Sequence, residues 1–255
     1  MLQWLAGAGY KLQGPVPVDG EALIQMLLAG RSNDPESEHR PALTLLPLAT
    51  YQDWYACLPS EGRQRLEAVW GPPELDVALV SAAGAVPGFP IRGLQLGHVS
   101  VLIQPDRGYD RDPALSYHSP DLPPTHAYLA QYLWLRQQFG AQVVVHVGKH
   151  GNLEWLPGKG LGLSSQCFPE WALGPLPHLY PFIVNDPGEG SQAKRRAQAV
   201  IIDHLTPPLG RAGLHGDLQQ LEALLDEYWE ASQFGSERAQ ALRRELETKL
   251  CTLDL

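Results

Sequence analysis

His146, His150 and Glu154 stand four residues apart inside a glycine-rich stretch, HVGKHGNLEWLPGK (146–159). Imidazole nitrogen and carboxylate oxygen both bind borderline divalent ions such as cobalt or zinc, and near neutral pH either can act as a general base. On a helix this spacing would line up all three as a metal set. Gly148 and Gly151 argue against a regular helix. If His146 instead ends a strand, only His150 and Glu154 need converge. The structural alternative makes His146 a hydrogen-bonded core histidine and Glu154 a turn cap. No HExxH motif is present, which speaks against a zincin.

A second loop, NDPGEGSQAKRR (185–196), carries a different chemistry. The pattern predicts a loop from Asn185 to Ser191 and then a helix with Lys194, Arg195 and Arg196 in its first turns. Backbone amides at a helix start, beside three cations, suit a carboxylate or phosphate; a solvated basic helix face is the alternative. GxxxxGK[ST] is missing, so no nucleotide site is expected. Single histidines (98, 118, 126, 178, 204 and 215) are more often structural than ligands. Trp134, Trp155 and Tyr180 could flank a flat aromatic ligand, although buried aromatics at these periods are usually core.

The elements that present these loops follow from periodicity. Val143 to Val145 reads as a strand ending at His146, preceded by a helix that Thr125 caps and Gly140 ends. Phe182 to Val184 reads as a second strand. After its loop, Ala193, Ala197, Val200, Ile201, His204 and Leu205 recur at helical spacing up to Thr206-Pro207-Pro208. Upstream, helices are expected over Glu21–Ala29, Tyr51–Leu58 and Ser60–Trp70. Short strands are expected over Ala42–Ala49 and Leu75–Val80, and a turn over Gly84–Pro90. Two strands joined near Gly97 fill Ile91–Gln104, and Asp106–Pro124 reads as a long polar loop. Helices over Asp217–Ala231 and Ser236–Leu250 close the chain. The expected class is α/β, a mixed sheet with flanking helices and a helical C-terminus. Three segments are expected: an N-terminal α/β segment (1–90), a core carrying both site loops (91–215) and C-terminal helices (216–255).

Composition narrows the partners. A formal charge of -9 argues against a general nucleic-acid binder. Cys57, Cys167 and Cys251 are odd in number and far apart, which fits a reducing compartment. The start lacks the features of a signal peptide, and no run of apolar residues is long enough to span a membrane. A cytoplasmic location and no membrane span are therefore expected.

Three long words together, RGLQLGHVSVLIQPDRGYDRDP (92–113), VVVHVGKHGNLEWLPGKGLGLS (143–164) and LPHLYPFIVNDPGEGSQAKRRAQAVIIDHLTPPLGRAGLHGDL (176–218), resemble the large subunit of cobaltochelatase (CobN) and its relative, the magnesium chelatase large subunit. The resemblance runs from about Gly9 to about Ser232 and covers about a fifth of such a multidomain subunit. GNLEWLPGK and NDPGEGSQAKRR look like the cobalt branch, whereas the magnesium branch tends toward GSLEFMPGK and NNPSEATIAKRR. Lys149 stands where many relatives have Thr.

The resemblance implies insertion of Co2+, the substrate metal, into a carboxylated tetrapyrrole, hydrogenobyrinic acid diamide, on the way to cobalamin. It implies ATP and Mg2+ used by separate AAA+ ATPase and adaptor subunits, and the remainder of the large subunit as a partner. It assigns His150 and Glu154 as catalytic residues, and His146, His150 and Glu154 as metal residues. Lys194, Arg195 and Arg196, with Asn185, Gly188 and Gly190, would hold the macrocycle carboxylates. A magnesium chelatase segment and a non-catalytic tetrapyrrole-binding module are the alternatives.

Overall fold

The computed structural model describes residues 1–81, 86–108, 119–148, 150–182, 187–203, 213–233 and 237–253. Met1–His204 forms one compact unit and Leu205–Leu255 another. The first unit opens with α1 (Leu2–Gly7), which was not expected, and α2 (Gly20–Leu28), whose start is capped by the Asp19 carboxylate. Then come β1 (Thr44–Pro47), α3 (Leu48–Ala56), α4 (Ser60–Trp70) and β2 (Gly88–Ile91). β3 (Gly93–Leu96) and β4 (Val99–Leu102) form the hairpin expected around Gly97. They lead into α5 (His126–Gln137), β5 (Val144–Val145), α6 (Phe168–Leu173), β6 (His178–Pro181), α7 (Pro187–Arg196) and β7 (Ala199–Ile202). The α/β expectation holds, with mixed strand directions: β1–β2 and β3–β4 are antiparallel, and β5–β6–β7 is parallel.

The core forms around α5. Every residue from His126 to Trp134 is buried, so the helix is covered on all sides. Leu129 and Leu133 are fully buried with Phe89, Ile91 and Leu46 of the β1–β2 pair and Phe168 of α6. Each such side chain contributes about 1.5–3 kcal/mol by leaving water. His126 spends both ring nitrogens on Tyr51 Oη and Gly71 O, each at 2.9 Å, as a structural histidine should. The expected boundary at 90/91 falls inside β2, whose side chains share this core, so residues on either side of it pack as one unit.

Four local expectations are corrected. Leu75–Val80 is not a strand: a 3₁₀ turn (Pro73–Leu75) precedes it, and only Val80 makes an isolated bridge, to Gly88. Pro90, expected in a turn, pairs with Leu45 inside β2. The second parallel strand is His178–Pro181, one step before the expected Phe182–Val184, of which only Phe182 lies within the described residues. The helix expected to run through Leu205 ends at Arg196 instead. Gln198 turns with φ of 51°, and the β-branched Val200, Ile201 and Ile202 form β7.

In the second unit, α8 (Asp217–Ser232) and α9 (Glu237–Leu253) match the two expected helices and pack as a hairpin. Leu221, Ala231, Leu242 and Leu246 are buried, and the Lys249 ammonium lies 3.2 Å from the Asp217 carboxylate.

Thr125 is 2% exposed, and its hydroxyl accepts the Tyr128 N–H at the start of α5. Thr125→Ala is expected to cost about 1 kcal/mol, read as a lower midpoint in urea unfolding with an unchanged slope.

Candidate functional site

The parallel sheet delivers the first loop. β5 is only Val144–Val145; His146 then stays in register by donating its N–H to Leu179 O. Gly148 leaves the strand at φ of +135°, a conformation that suits glycine. The chain comes back through a 3₁₀ turn, Leu153–Trp155, which packs against α7. Arg196, at the end of α7, donates from Nη2 to Leu156 O at 2.6 Å and ties the two segments together.

Glu154 sits in that turn and is fully buried. Its Oε1 accepts a long hydrogen bond, 3.5 Å, from the Tyr180 hydroxyl on β6. Tyr180 is itself fixed by the Gly151 N–H, which donates to its oxygen at 2.7 Å. The other carboxyl oxygen, Oε2, is buried with no hydrogen-bond partner. Burial pushes the Glu154 carboxyl up to about 7; the Glu189 carboxylate adds to that, against backbone and Tyr180 hydrogen bonds that pull it down. Such a group is half ionised at neutral pH, as a general base requires.

Glu189 is the residue that sequence reading missed. It lies in the first turn of α7, where one carboxyl oxygen faces His150 Nε2 at 3.5 Å and has no hydrogen-bond partner. His150 Nδ1 is 2.9 Å from Gly151 O, which can only accept, so Nδ1 carries a proton. Nε2 therefore faces Glu189 either as a donor in the imidazolium or as an acceptor of a proton or cation. The Trp155 ring lies 5.8 Å from the imidazole.

His146 is engaged elsewhere. Gln104 Nε2 donates to the hydroxyls of Tyr128 (3.1 Å) and Tyr132 (2.8 Å), and Gln104 Oε1 accepts the Asn152 N–H at 2.8 Å. The Tyr132 hydroxyl, which can accept twice and holds one proton, is also hydrogen-bonded to His146 Nε2 at 3.1 Å. Burial raises the Tyr132 phenol to about 12, so it keeps that proton. Burial, with His178 beside it, pushes His146 down to about 3, so its ring is neutral. Among the described residues, no three of His, Cys, Asp and Glu come together to hold a metal ion. His146 bonds Tyr132, while His150 meets Glu189 from the other loop.

The second loop also differs from expectation. α7 starts at Pro187, so Gly188 and Gly190 lie in its first turn and Lys194, Arg195 and Arg196 in its last, not its first. Lys194 and Arg195 are exposed, whereas Arg196 is 7% exposed and holds Leu156 O. Asn185 and Lys149 lie outside the described residues. Trp134 and Tyr180 are buried; Tyr180 serves the site through its hydroxyl. Of the long polar loop, Arg107 is fully buried and donates to Leu122 O at 2.7 Å, while 109–118 lie outside the described residues.

A model of the CobN/magnesium chelatase family matches residues 1–255. Aerobic cobaltochelatase subunit CobN of Sinorhizobium sp is 52% identical over 246 residues, covering 96% of this chain and 19% of that protein. A magnesium-chelatase subunit from Chlorobaculum parvum is 34% identical over 260 residues, covering 100% of this chain and 19% of that protein. The catalytic subunit of cobaltochelatase from Mycobacterium tuberculosis superposes with a TM-score of 0.70 at 42% identity, over 99% of this chain and 22% of that one. The chain thus spans about a fifth of the length of these relatives. No helix of the described residues is long and apolar enough to cross a membrane.

The raised carboxyl makes stability depend on pH. Between its ordinary value of 4.5 and about 7, folded Glu154 keeps a proton that the unfolded chain has released. Stability from this residue is full below the lower value and is lost as pH rises to the upper one, by roughly 3 kcal/mol. Glu154→Gln cannot ionise, so urea unfolding is expected to find it about as stable as the parent at pH 4.5 and roughly 3 kcal/mol more stable at pH 8. An equal gap at both pH values would contradict the shift.

Proposed function

The chain belongs to the CobN/magnesium chelatase family, and from that premise we propose that the Glu154 turn and α7 form part of the site where a chelatase large subunit joins Co2+ to a carboxylated tetrapyrrole, in the cobalt case hydrogenobyrinic acid diamide. The observation that carries this reading is Glu154, fully buried and half ionised near neutral pH, with one oxygen unpartnered beside a second loop that carries an imidazole-facing carboxylate.

Insertion requires the ring nitrogens to lose protons and the ion to lose water. Glu154 Oε2 takes a ring N–H proton, since no protein donor occupies it. His150 Nε2 and Glu189 receive the divalent substrate ion or pass the proton on, because they already face each other with a gap that a proton or cation fills. Neutral His146 positions the loop through Tyr132.

Peripheral carboxylates meet two anchors: the start of α7 at Gly188 and Gly190, with Asn185 just before it in sequence, and Lys194 and Arg195 at its end. Lys194 lies six residue steps along the helix from Gly188, a rise of about 9 Å, which suits two carboxylates on a broad macrocycle. Arg196 holds the site together rather than the substrate.

Higher identity to the relative named cobaltochelatase, 52% against 34% for the one named magnesium-chelatase, favours cobalt. ATP hydrolysis, with Mg2+, belongs to partner AAA+ and adaptor subunits in this reading. A non-catalytic tetrapyrrole-binding module gains support from the lack of three converging ligands among the described residues.

The test is cobalt insertion by the assembled complex with Glu154→Gln or His150→Ala in the large subunit. Glu154→Gln is expected to slow insertion by about 100-fold or more while macrocycle binding persists, and to remove the rise in rate through pH 7. Unchanged insertion in both variants would refute the assignment. Binding without insertion in the wild-type complex would select the module.

A further inference from the structure

Asn152 lies two residues before Glu154, and its side chain makes no hydrogen bond among the described residues. It is 4% exposed. Its backbone is fully used: the N–H donates to Gln104 Oε1 at 2.8 Å and the carbonyl accepts the Trp155 N–H at 3.1 Å. The side-chain Oδ1 is buried with no hydrogen-bond partner. An unmet buried amide costs folding free energy that an apolar side chain of similar size would not. The fold alone therefore gives no reason for Asn here.

The neighbouring orphans have the same character. Glu154 Oε2, two residues on, is also a buried acceptor with no donor among the described residues, and Glu189 Oε2 has only the His150 ring opposite it, at 3.5 Å. A neutral amide oxygen is a hard ligand, better suited to magnesium or calcium than to a softer transition ion, and its natural complement here is an N–H.

We propose that the Asn152 carboxamide accepts a hydrogen bond from an N–H group of the macrocycle bound beside Glu154. This rests on the tetrapyrrole site proposed above and adds a recognition contact to it. Two sources supply the same chemistry: the inner ring N–H groups, which disappear on metal insertion, or a peripheral carboxamide of the ring.

The test compares wild type with Asn152→Leu in the intact large subunit, by absorbance titration with three probes. Hydrogenobyrinic acid a,c-diamide has both kinds of N–H, deuteroporphyrin IX has only the inner ones, and cobalt(II) deuteroporphyrin has neither. Asn152→Leu is expected to match or exceed the wild-type melting temperature while its affinity falls about tenfold for donor-bearing rings and stays unchanged for cobalt(II) deuteroporphyrin. Loss for both metal-free rings identifies the inner N–H groups, and loss for the diamide alone identifies the carboxamide. Asn152→Ala, which cannot overpack the site, carries the same expectation. Unchanged affinity for all three probes, or an equal loss for all three, overturns the proposal. If the wild type binds no macrocycle, the tetrapyrrole reading falls together with it.

Discussion

A carboxyl group taken fully out of water must be met by donors, by a counter-charge or by a proton. Glu154 has one long hydrogen bond from Tyr180 and an oxygen with nothing opposite it, so the proton fills the deficit. The rest of the site follows from keeping that carboxyl buried and still. Tyr180 is held by Gly151, the turn is held to α7 by Arg196, and Asn152 is held by Gln104. Glycine at 158 lets this loop close against Cys167, because a Cβ there would lie 2.8 Å from the cysteine's own.

Gln104 links this turn to the core. Both amide hydrogens go to tyrosines of α5 and its oxygen goes to the turn, while its backbone carbonyl accepts from Asn33. α5 is buried along most of its length, so the tyrosine hydroxyls have little freedom, and a rigid helix thereby positions a histidine at the end of a short strand.

Local signals carried well from sequence to structure. The Thr125 cap, the turn at Gly97 and the apolar stripes of α8 and α9 depend on neighbours within a few residues, and they are where periodicity puts them. β7 was hidden because its apolar residues also continue the helical spacing of α7; only the turn at Gln198 separates the two. The pairing of His150 with Glu189 joins residues thirty-nine positions apart through packing of the turn against α7, and no spacing rule encodes it. The orphaned amide of Asn152 is likewise visible only once its surroundings are placed. Residue types single out 146–159, while the strand geometry of His146 is not visible in its i, i+4 spacing to His150.

In the proposed reading, the donors that Glu154 and Asn152 lack, and the cation, arrive with the substrate. The most direct measurement is a structure of the intact large subunit with a metal-free macrocycle bound. The ring is predicted to lie against the Leu153–Trp155 turn and the first turn of α7, with an N–H within hydrogen-bonding distance of Glu154 and its carboxylates along α7. A ring bound elsewhere, with Glu154 still sealed by protein, would contradict it.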